Sequence, residues 1–150
     1  MIEIKRAVLE EAKMITEIKT RAYNKEINTY LGRDGGPKGY NEVSSQEEII
    51  TNLIAYKIEL DSKIIGAFFL IPLGEGKMRF EDFVIEPEEQ NKGYGYETLV
   101  KLEALYPNVN EWCLSTPIFS IGNRHLYEKF GYQEVSRDEN EIEYIKKIDR

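Results

Sequence analysis

The sequence predicts a mixed α/β fold, formed as one domain over residues 1–150. Two observations predict it. Strand-like segments with alternating apolar residues and helix-like segments with apolar residues at helical spacing follow one another in the order β-α-α-β-β-β-α-β-α-β-β. In addition, no repeat, low-complexity tract or linker divides the chain, and a chain of this length can bury roughly two-thirds of the surface that its unfolded form exposes.

The first half of the chain predicts a strand, two helices separated by a loop, and a hairpin. Residues 2–6 alternate as a strand, and residues 8–29 place apolar side chains on one helical face. Residues 31–40 contain four glycines and a proline, which predicts a loop. The segment at 44–47, Ser-Ser-Gln-Glu, predicts a capping box that opens the second helix. Strands then follow at 56–60 and 64–71, joined by a tight turn.

The second half predicts strands that alternate with helices. In a strand over residues 79–85, period-two alternation would put Glu81, Phe83 and Ile85 on one face. A helix follows the glycines at 93 and 95 and ends before Pro107. The remaining elements are expected as a strand at 111–116, a helix at 120–130 and strands at 132–135 and 142–148.

Composition and charge narrow the classes of function. A hydrophobic content of 41% and a charged content of 31% are typical of a soluble globular protein. The net charge of −7, without a run of Lys and Arg, argues against a nucleic-acid partner. The acidity could steer a cationic substrate, although acidic surfaces commonly serve only solubility. Without signal-peptide features or an apolar stretch near the ~20 residues of a membrane span, we expect a cytoplasmic protein with no membrane partner.

The chain has a single cysteine and a single histidine. Cys113 lies in the apolar run at 112–114, which is typical of a small buried hydrophobe and not of a nucleophile. His125 is expected at the surface. One His and one Cys cannot assemble a metal site, so no metal is expected, although carboxylates alone could hold a loose cation.

The segment at 83–96 is the most informative, because an apolar strand runs through a Pro-containing turn into a helix. A helix N-terminus presents unpaired N–H groups at the positive end of the helix dipole, which is a suitable site for phosphate. Gly93 and Gly95 remove side chains that would keep a phosphate from the backbone. The junction therefore predicts a phosphate-bearing ligand. It lacks both the Gly-Lys-Ser/Thr ending of a P-loop and the third glycine of a dinucleotide fingerprint.

Gln90, Gly93 and Gly95 supply a pattern that resembles the Gln/Arg-x-x-Gly-x-Gly/Ala loop of the GCN5-related N-acetyltransferase (GNAT) superfamily. The Ile-Glu-Pro at 85–87 is similar to that family's Val-x-Pro lead-in, and residues 123–132 are similar to its second signature, Asn followed by Leu-Tyr-Glu-Lys-hydrophobic-Gly-Phe/Tyr. On these residues the chain is identified as a member. The resemblance implies a single GNAT-like domain whose mixed, mostly antiparallel twisted sheet has about seven strands, about four flanking helices and a splay at the cofactor site.

The resemblance also implies acetyl-CoA as donor, a small-molecule or peptide primary amine as acceptor, and a homodimer as a family-level expectation. Phe83, Val84 and Ile85 would run along the pantetheine arm, whose amides can pair like an extra strand, and an N–H near Ile85 would polarise the thioester. Asn123 would contact the pantetheine region. The amides that would bind the pyrophosphate belong to Gln90, Asn91, Lys92, Gly93, Tyr94 and Gly95, with Tyr96 beside them.

Tyr127 is the predicted general acid that gives a proton to the departing thiolate, because the family has a tyrosine at this position. It lies four residues after Asn123 and therefore on the same helical face. The alternative is that Tyr127 only packs in the core. Glu81 is the candidate base, acting through water, or else a solvated charge at the start of its strand. Asp82, on the opposite face by alternation, is the weaker candidate.

The resemblance implies that the acceptor enters over the first two helices, where Tyr30 and Tyr40 flank the glycine-rich loop. These rings could close over an amine by cation–π contact or could simply anchor the loop. No Cys or Ser stands in a nucleophile arrangement, which favours direct attack in a ternary complex. The alternative function is a non-catalytic acyl-CoA-binding sensor or regulatory module, which would need the loop but not Tyr127.

Overall fold

The structure, a computed structural model, describes residues 1–149 and centres on one seven-stranded sheet. The strands are β1 (Ile2–Arg6), β2 (Ile54–Leu60), β3 (Lys63–Gly74), β4 (Lys77–Ile85), β5 (Glu111–Pro117), β6 (Gln133–Arg137) and β7 (Glu141–Lys147). The helices are α1 (Ala12–Leu31), α2 (Val43–Asn52), α3 (Tyr94–Leu105) and α4 (Ile121–Phe130), with short 3-10 turns at Leu9–Glu11 and Pro87–Glu89. The strand order is β1-β2-β3-β4-β5-β7-β6. The predicted mixed α/β class, with a mostly antiparallel sheet and four helices, is confirmed.

The sheet is interrupted between β4 and β5, its one parallel pair among the described strands. These strands pair only at Lys77, Met78 and Arg79, opposite residues 111–113. Beyond this point β5 continues to pair with β7 as far as Pro117, whereas residues 80–85 of β4 pair with β3 alone. The two strands thus diverge into an open wedge, the splay that the family resemblance implied.

A β-bulge in β4 changes which side chains face which layer. Glu81 pairs with Phe69 and Val84 pairs with Ala67, so the two β4 residues between them lie opposite a single β3 residue. Asp82, one of the two, has a φ of 60°. An inserted residue moves every later side chain to the other face.

The predicted common face of Glu81, Phe83 and Ile85 is therefore wrong. Since residues 67 and 69 of β3 share a face, Glu81 lies on the same face as Val84. Val84 packs beneath α1, whereas Phe83 and Ile85 pack with the opposite, larger core. Simple alternation over 79–85 missed the one extra residue.

Apolar side chains fill both faces of the sheet. The larger cluster includes Phe68, Phe80, Leu99, Leu102, Trp112, Ile142 and Tyr144. The smaller cluster lies beneath α1 and contains Ile15, Ile18, Ala22, Ile64, Ala67 and Val84. The apolar stripe predicted along α1 is the one that packs on the sheet.

The boundaries of α1 and α2 differ from those predicted. α1 ends at Leu31, where Gly32 adopts a left-handed φ of 71°. The predicted capping box at 44–47 does not form, because α2 begins at Val43 after Glu42, with no side-chain cap. Gln46 is instead buried, and its Oε1 accepts a hydrogen bond from Lys19 Nζ at 2.5 Å. In the part of the chain described, no helix has the length and apolar character needed to cross a membrane.

Candidate active site

The loop that follows β4 is held in place by its own backbone and by Gln90. The Gln90 amide donates to Pro87 O at 3.3 Å and its side-chain Nε2 donates to Ile85 O at 2.9 Å. Asn91 and Gly93 both have left-handed φ angles, 63° and 87°. The Gln90 amide was predicted to bind phosphate. It is instead hydrogen-bonded within the loop, and both bonds of Gln90 stabilise the loop conformation.

The next amides along the chain are available for a ligand. The first backbone bond into α3 runs from Glu97 N to Gly93 O at 3.1 Å, and over residues 1–149 the amides of 91–96 have no acceptor. A Cβ built on Gly93 would meet nothing within 4 Å. The loop therefore offers several N–H groups beside open space.

The second glycine of the motif has a different reason to be there. A Cβ on Gly95 would lie 3.0 Å from Leu126 Cδ2 on α4. Gly95 thus lets α3 and α4 approach closely, whereas Gly93 is the glycine that leaves room for a ligand. The sequence prediction gave both glycines the ligand role.

The end of β4 directs polar backbone groups into the wedge. Glu86 N donates to Ile65 O of β3 at 2.6 Å. Because successive residues of a strand point their N–H and C=O groups to opposite sides, those of Ile85 point away from β3. The Ile85 carbonyl accepts the bond from Gln90 Nε2, and the Ile85 N–H points into the wedge. The predicted thioester-polarising N–H is therefore on the open side.

One continuous cavity of about 560 Å³ connects the loop with α1. Among the predicted site residues, those that line it are Tyr30, Phe83, Val84, Ile85, Gln90, Asn91, Gly93, Tyr94, Gly95, Tyr96 and Asn123. Four others, Tyr40, Glu81, Lys92 and Tyr127, do not line it. His125 is exposed at its edge, as predicted.

Tyr127 is buried and holds an unpartnered hydroxyl. The side chain is 4% exposed, and its ring packs edge-on to Tyr132 with centroids 5.8 Å apart. Nothing in the described chain forms a hydrogen bond with its hydroxyl. Burial, and then the charges of Glu26 and Glu81, raise the pKa of Tyr127 above its ordinary value. The phenol consequently stays protonated, and both predicted roles, packing and proton donation, remain compatible with this placement.

Glu81 and Asp82 are each held by a cation. Arg79 pairs with Glu81 and also binds Glu143 at 2.9 Å. Asp82 accepts hydrogen bonds from Lys19 Nζ and from the Tyr23 hydroxyl, each at 2.5 Å. The bulge places Asp82 against α1, so strand alternation did not give its position correctly.

The two predicted acceptor tyrosines are placed differently. The Tyr40 hydroxyl donates to Asn24 Oδ1 at 2.6 Å, and the same oxygen accepts from Gly35 N at 3.1 Å. Tyr40 therefore anchors the glycine-rich loop to α1. Tyr30 lines the cavity and stacks obliquely on Phe119 with centroids 5.4 Å apart.

Two cavity residues, Tyr23 and Glu26, were not evident from the local motifs. Together with Lys19 and Tyr30 they are spaced by four, three and four residues along α1, which puts all four on one helical stripe. This polar stripe at the edge of the apolar face is the sequence signal that could have identified them.

Comparison with known proteins agrees with the geometry. Residues 12–132 match the model of the acetyltransferase (GNAT) family. No curated protein matches the chain in sequence. Among solved structures, the PaiA N-acetyltransferase of Thermoplasma acidophilum in complex with coenzyme A is 18% identical, with a TM-score of 0.78 over 98% of this chain and 99% of that one.

Two further structures share the fold at similarly low identity. The ribosomal-protein-S18-alanine N-acetyltransferase of Escherichia coli is 15% identical, with a TM-score of 0.77 over 100% of this chain and 96% of that one. The spermidine N-acetyltransferase of Vibrio cholerae, in complex with coenzyme A and spermine, is 18% identical, with a TM-score of 0.71 over 96% and 94%. The family match extends over most of the chain, and the protein therefore belongs to the acetyltransferase (GNAT) family.

Proposed function

We propose that the protein transfers an acetyl group from acetyl-CoA to a primary amine by direct attack in a ternary complex. The observation that carries this proposal is one continuous cavity, which runs from the amides of the loop along the open edge of β4 to α1. A cavity of this form can hold donor and acceptor on its two sides at once.

The loop and the β4 edge fit the donor. The amides of residues 91–96 would bind the pyrophosphate, and the open space above Gly93 accommodates it. The free edge of β4 at 83–85 can exchange hydrogen bonds with the amides of the pantetheine arm, as a strand would. Asn123, on α4, also lines the cavity. The N–H of Ile85 would stabilise negative charge on the thioester oxygen.

The groups around the wedge fit direct transfer. Tyr127 is the proposed acid, because a neutral phenol whose hydroxyl has no partner over residues 1–149 can give its proton to the departing thiolate. Cys113 is buried within β5, and burial raises the pKa of its thiol, which disfavours a covalent acetyl-cysteine route.

The structural relatives support a primary amine as acceptor. Two of them are described as N-acetyltransferases acting on spermidine or on a ribosomal-protein alanine. We extend this acceptor chemistry to the present chain because its cavity continues past the wedge to the aromatic side chains of Tyr23 and Tyr30.

Thiol release from acetyl-CoA, measured with a chromogenic thiol reagent over a panel of primary amines, tests the proposal. We expect release that depends on the amine, with mass spectrometry detecting the N-acetylated product. Calorimetry should show that coenzyme A binds the same protein. Binding of coenzyme A with no amine-dependent release across alkylamines, polyamines and peptide N-termini would refute transfer and favour the sensor.

Replacing Gly93 with valine should weaken coenzyme A binding by about tenfold or more. A branched side chain at a φ of 87° is strained by about 1–2 kcal/mol and would project into the space proposed for the pyrophosphate. Isothermal titration calorimetry with coenzyme A measures the effect.

Gly32→Val is a matched control. Gly32 also has a left-handed φ, 71°, with nothing within 4 Å of a built Cβ, but it does not line the cavity. It should lose comparable stability and keep its affinity. Equal affinities of Gly93→Val and wild type would contradict the loop as the pyrophosphate site.

A further inference from the structure

The cavity wall contains two carboxylates, Glu26 and Glu89. Glu89 forms an ion pair with Lys92, with Nζ and Oε1 2.8 Å apart, and this pairing neutralises the charge of Glu89. No lysine, arginine or histidine of residues 1–149 forms an ion pair with Glu26. An unneutralised, half-buried carboxylate in a cavity wall is poorly solvated, so a cation arriving with a ligand would stabilise it.

Glu26 is held in a defined orientation by one neutral donor. The Ser120 hydroxyl donates to Glu26 Oε1 at 2.9 Å, and Ser120, which is fully buried, is the residue that precedes α4. This bond occupies one carboxylate oxygen. The second oxygen, Oε2, has no partner within the described part of the chain.

The position of Glu26 relates it to the transfer chemistry. The negative charge of Glu26 contributes to raising the pKa of Tyr127, the proposed acid, and that of Tyr23 on its own helix. Tyr23 and Tyr30 lie three residues before and four residues after it, so two aromatic rings flank it on the same stripe. A carboxylate between aromatic rings is a suitable environment for an alkylammonium group.

The other carboxylates near the wedge are less suited to this task. Glu81 is paired with Arg79 and Asp82 with Lys19. A cationic acceptor would have to displace a protein cation from either one, whereas at Glu26 it would meet a free oxygen.

We propose that Glu26 receives the ammonium group of the acceptor and takes up its proton, an inference that rests on the proposed function. One N–H proton passes to Glu26 Oε2, directly or through one water. The freed nitrogen lone pair forms the N–C bond while the C–S bond breaks. The departing thiolate takes the proton of the Tyr127 hydroxyl. After the N–C bond has formed, the nitrogen loses a second proton, which returns to the Tyr127 oxygen. Glu26 then releases its proton to solvent.

Several charged or titratable groups line the cavity together with Glu26. They are Tyr23, Lys25 and Tyr30 on its own helix, Glu89, Tyr94 and Tyr96 in the loop and at the start of α3, and His125 and Lys129 on α4. Burial raises the pKa of Glu26 and the Ser120 hydrogen bond lowers it, with burial the larger effect. The carboxylate must be ionised to act, so activity should fall as the pH drops through this raised pKa.

The pH profile of kcat/KM distinguishes proton uptake from mere packing. In wild type, ionised Glu26 combines with the ammonium form of the amine, so kcat/KM should be flat between the pKa of Glu26 and that of the amine, ~10. In Glu26→Gln the side chain keeps its shape and its contact with Ser120, but it cannot take up a proton. This variant can therefore react only with the fraction of the amine that is already deprotonated in solution. Its kcat/KM should be about 100-fold lower at neutral pH and rise tenfold per pH unit. Ser120→Ala removes the hydrogen bond that lowers the pKa of Glu26. The acidic limb of the profile should therefore move to higher pH in this variant.

The control for charge alone is Glu17→Gln, which changes an exposed carboxylate on the same helix and should behave as wild type. A Glu26→Gln profile that runs parallel to the wild-type profile would overturn the inference, even if activity is lower. Unchanged limbs in Ser120→Ala would contradict the assignment of the acidic limb to Glu26.

Equilibrium binding separates this inference from the proposed function. With coenzyme A present in place of acetyl-CoA, calorimetry measures the Kd of amines from ethylamine to spermidine without turnover. Glu26→Gln should weaken amine binding about tenfold or more and leave coenzyme A binding unchanged. If the wild-type protein never releases thiol but binds amines in a way that depends on Glu26, the proposed acetyl transfer is refuted and the ammonium site at Glu26 is supported. Equal amine affinity in both proteins, or none in either, overturns the site.

Discussion

Replacing Tyr127 with phenylalanine should lower kcat by about 10²–10⁴-fold while leaving the Kd of coenzyme A unchanged. The substitution removes only a hydroxyl that has no partner over residues 1–149, so the ring keeps its packing and the fold should be preserved. What is lost is the proton for the departing thiolate. Steady-state thiol release with saturating amine, together with calorimetry, measures both quantities.

Tyr132→Phe is the matched control for this experiment. Tyr132 is also 4% exposed and packs against the Tyr127 ring, but it follows the end of α4 and is not on the helical face that Tyr127 shares with Asn123. It should retain nearly wild-type kcat. Equal kcat for Tyr127→Phe and wild type would remove Tyr127 as the acid while leaving the transferase assignment in place. Because the pKa of Tyr127 is raised, ionisation of this phenol should not limit the rate at ordinary alkaline pH.

Replacing Lys19 with methionine should destabilise the protein by about 3–5 kcal/mol. Lys19 is 2% exposed, and its ammonium joins Gln46 of α2 to Asp82 at the β4 bulge, each at 2.5 Å. Methionine fills a similar volume, but it leaves the Asp82 carboxylate without its counterion and Gln46 Oε1 without its donor. Chemical denaturation followed by circular dichroism measures the free energy of unfolding.

Two further variants identify the cause of this loss. Lys63→Met removes an exposed lysine whose contact with Glu88 spans 3.5 Å at the surface, and it should be indistinguishable from wild type. Adding Asp82→Asn to Lys19→Met should recover a large part of the stability, since asparagine tolerates the left-handed φ and carries no charge. If the double variant is no more stable than Lys19→Met, the orphaned carboxylate is not the reason.

The fold could be predicted because its periodic signals are local. Strands β1 to β3 and helices α1 and α4 lie within a few residues of their predicted bounds, since apolar spacing and terminal glycines determine them. The capping box at 44–47 failed for a non-local reason. Gln46 is drawn into a buried contact with Lys19, 27 residues away, which the local motif does not contain.

The site was predictable where backbone geometry determines it. Gly93 and its neighbours form the expected loop because a left-handed turn before a helix needs glycine. The face of Glu81 was not predictable from alternation, because the bulge at Asp82 depends on cross-strand pairing and on two α1 side chains, Lys19 and Tyr23. Glu26 likewise acquires its setting only when α1 meets Ser120.

The wedge also bears on aggregation. An unpaired strand edge such as residues 80–85 is ordinarily a template on which other chains can add strands. Here that edge opens into a cavity with α1 on one side and α4 on the other, and the bulge breaks its regular spacing. Strand addition needs a regular, accessible row of backbone groups, which the bulge and the two flanking helices interrupt here. The same geometry that leaves backbone groups available to a ligand thus makes this internal edge a poor template for self-association.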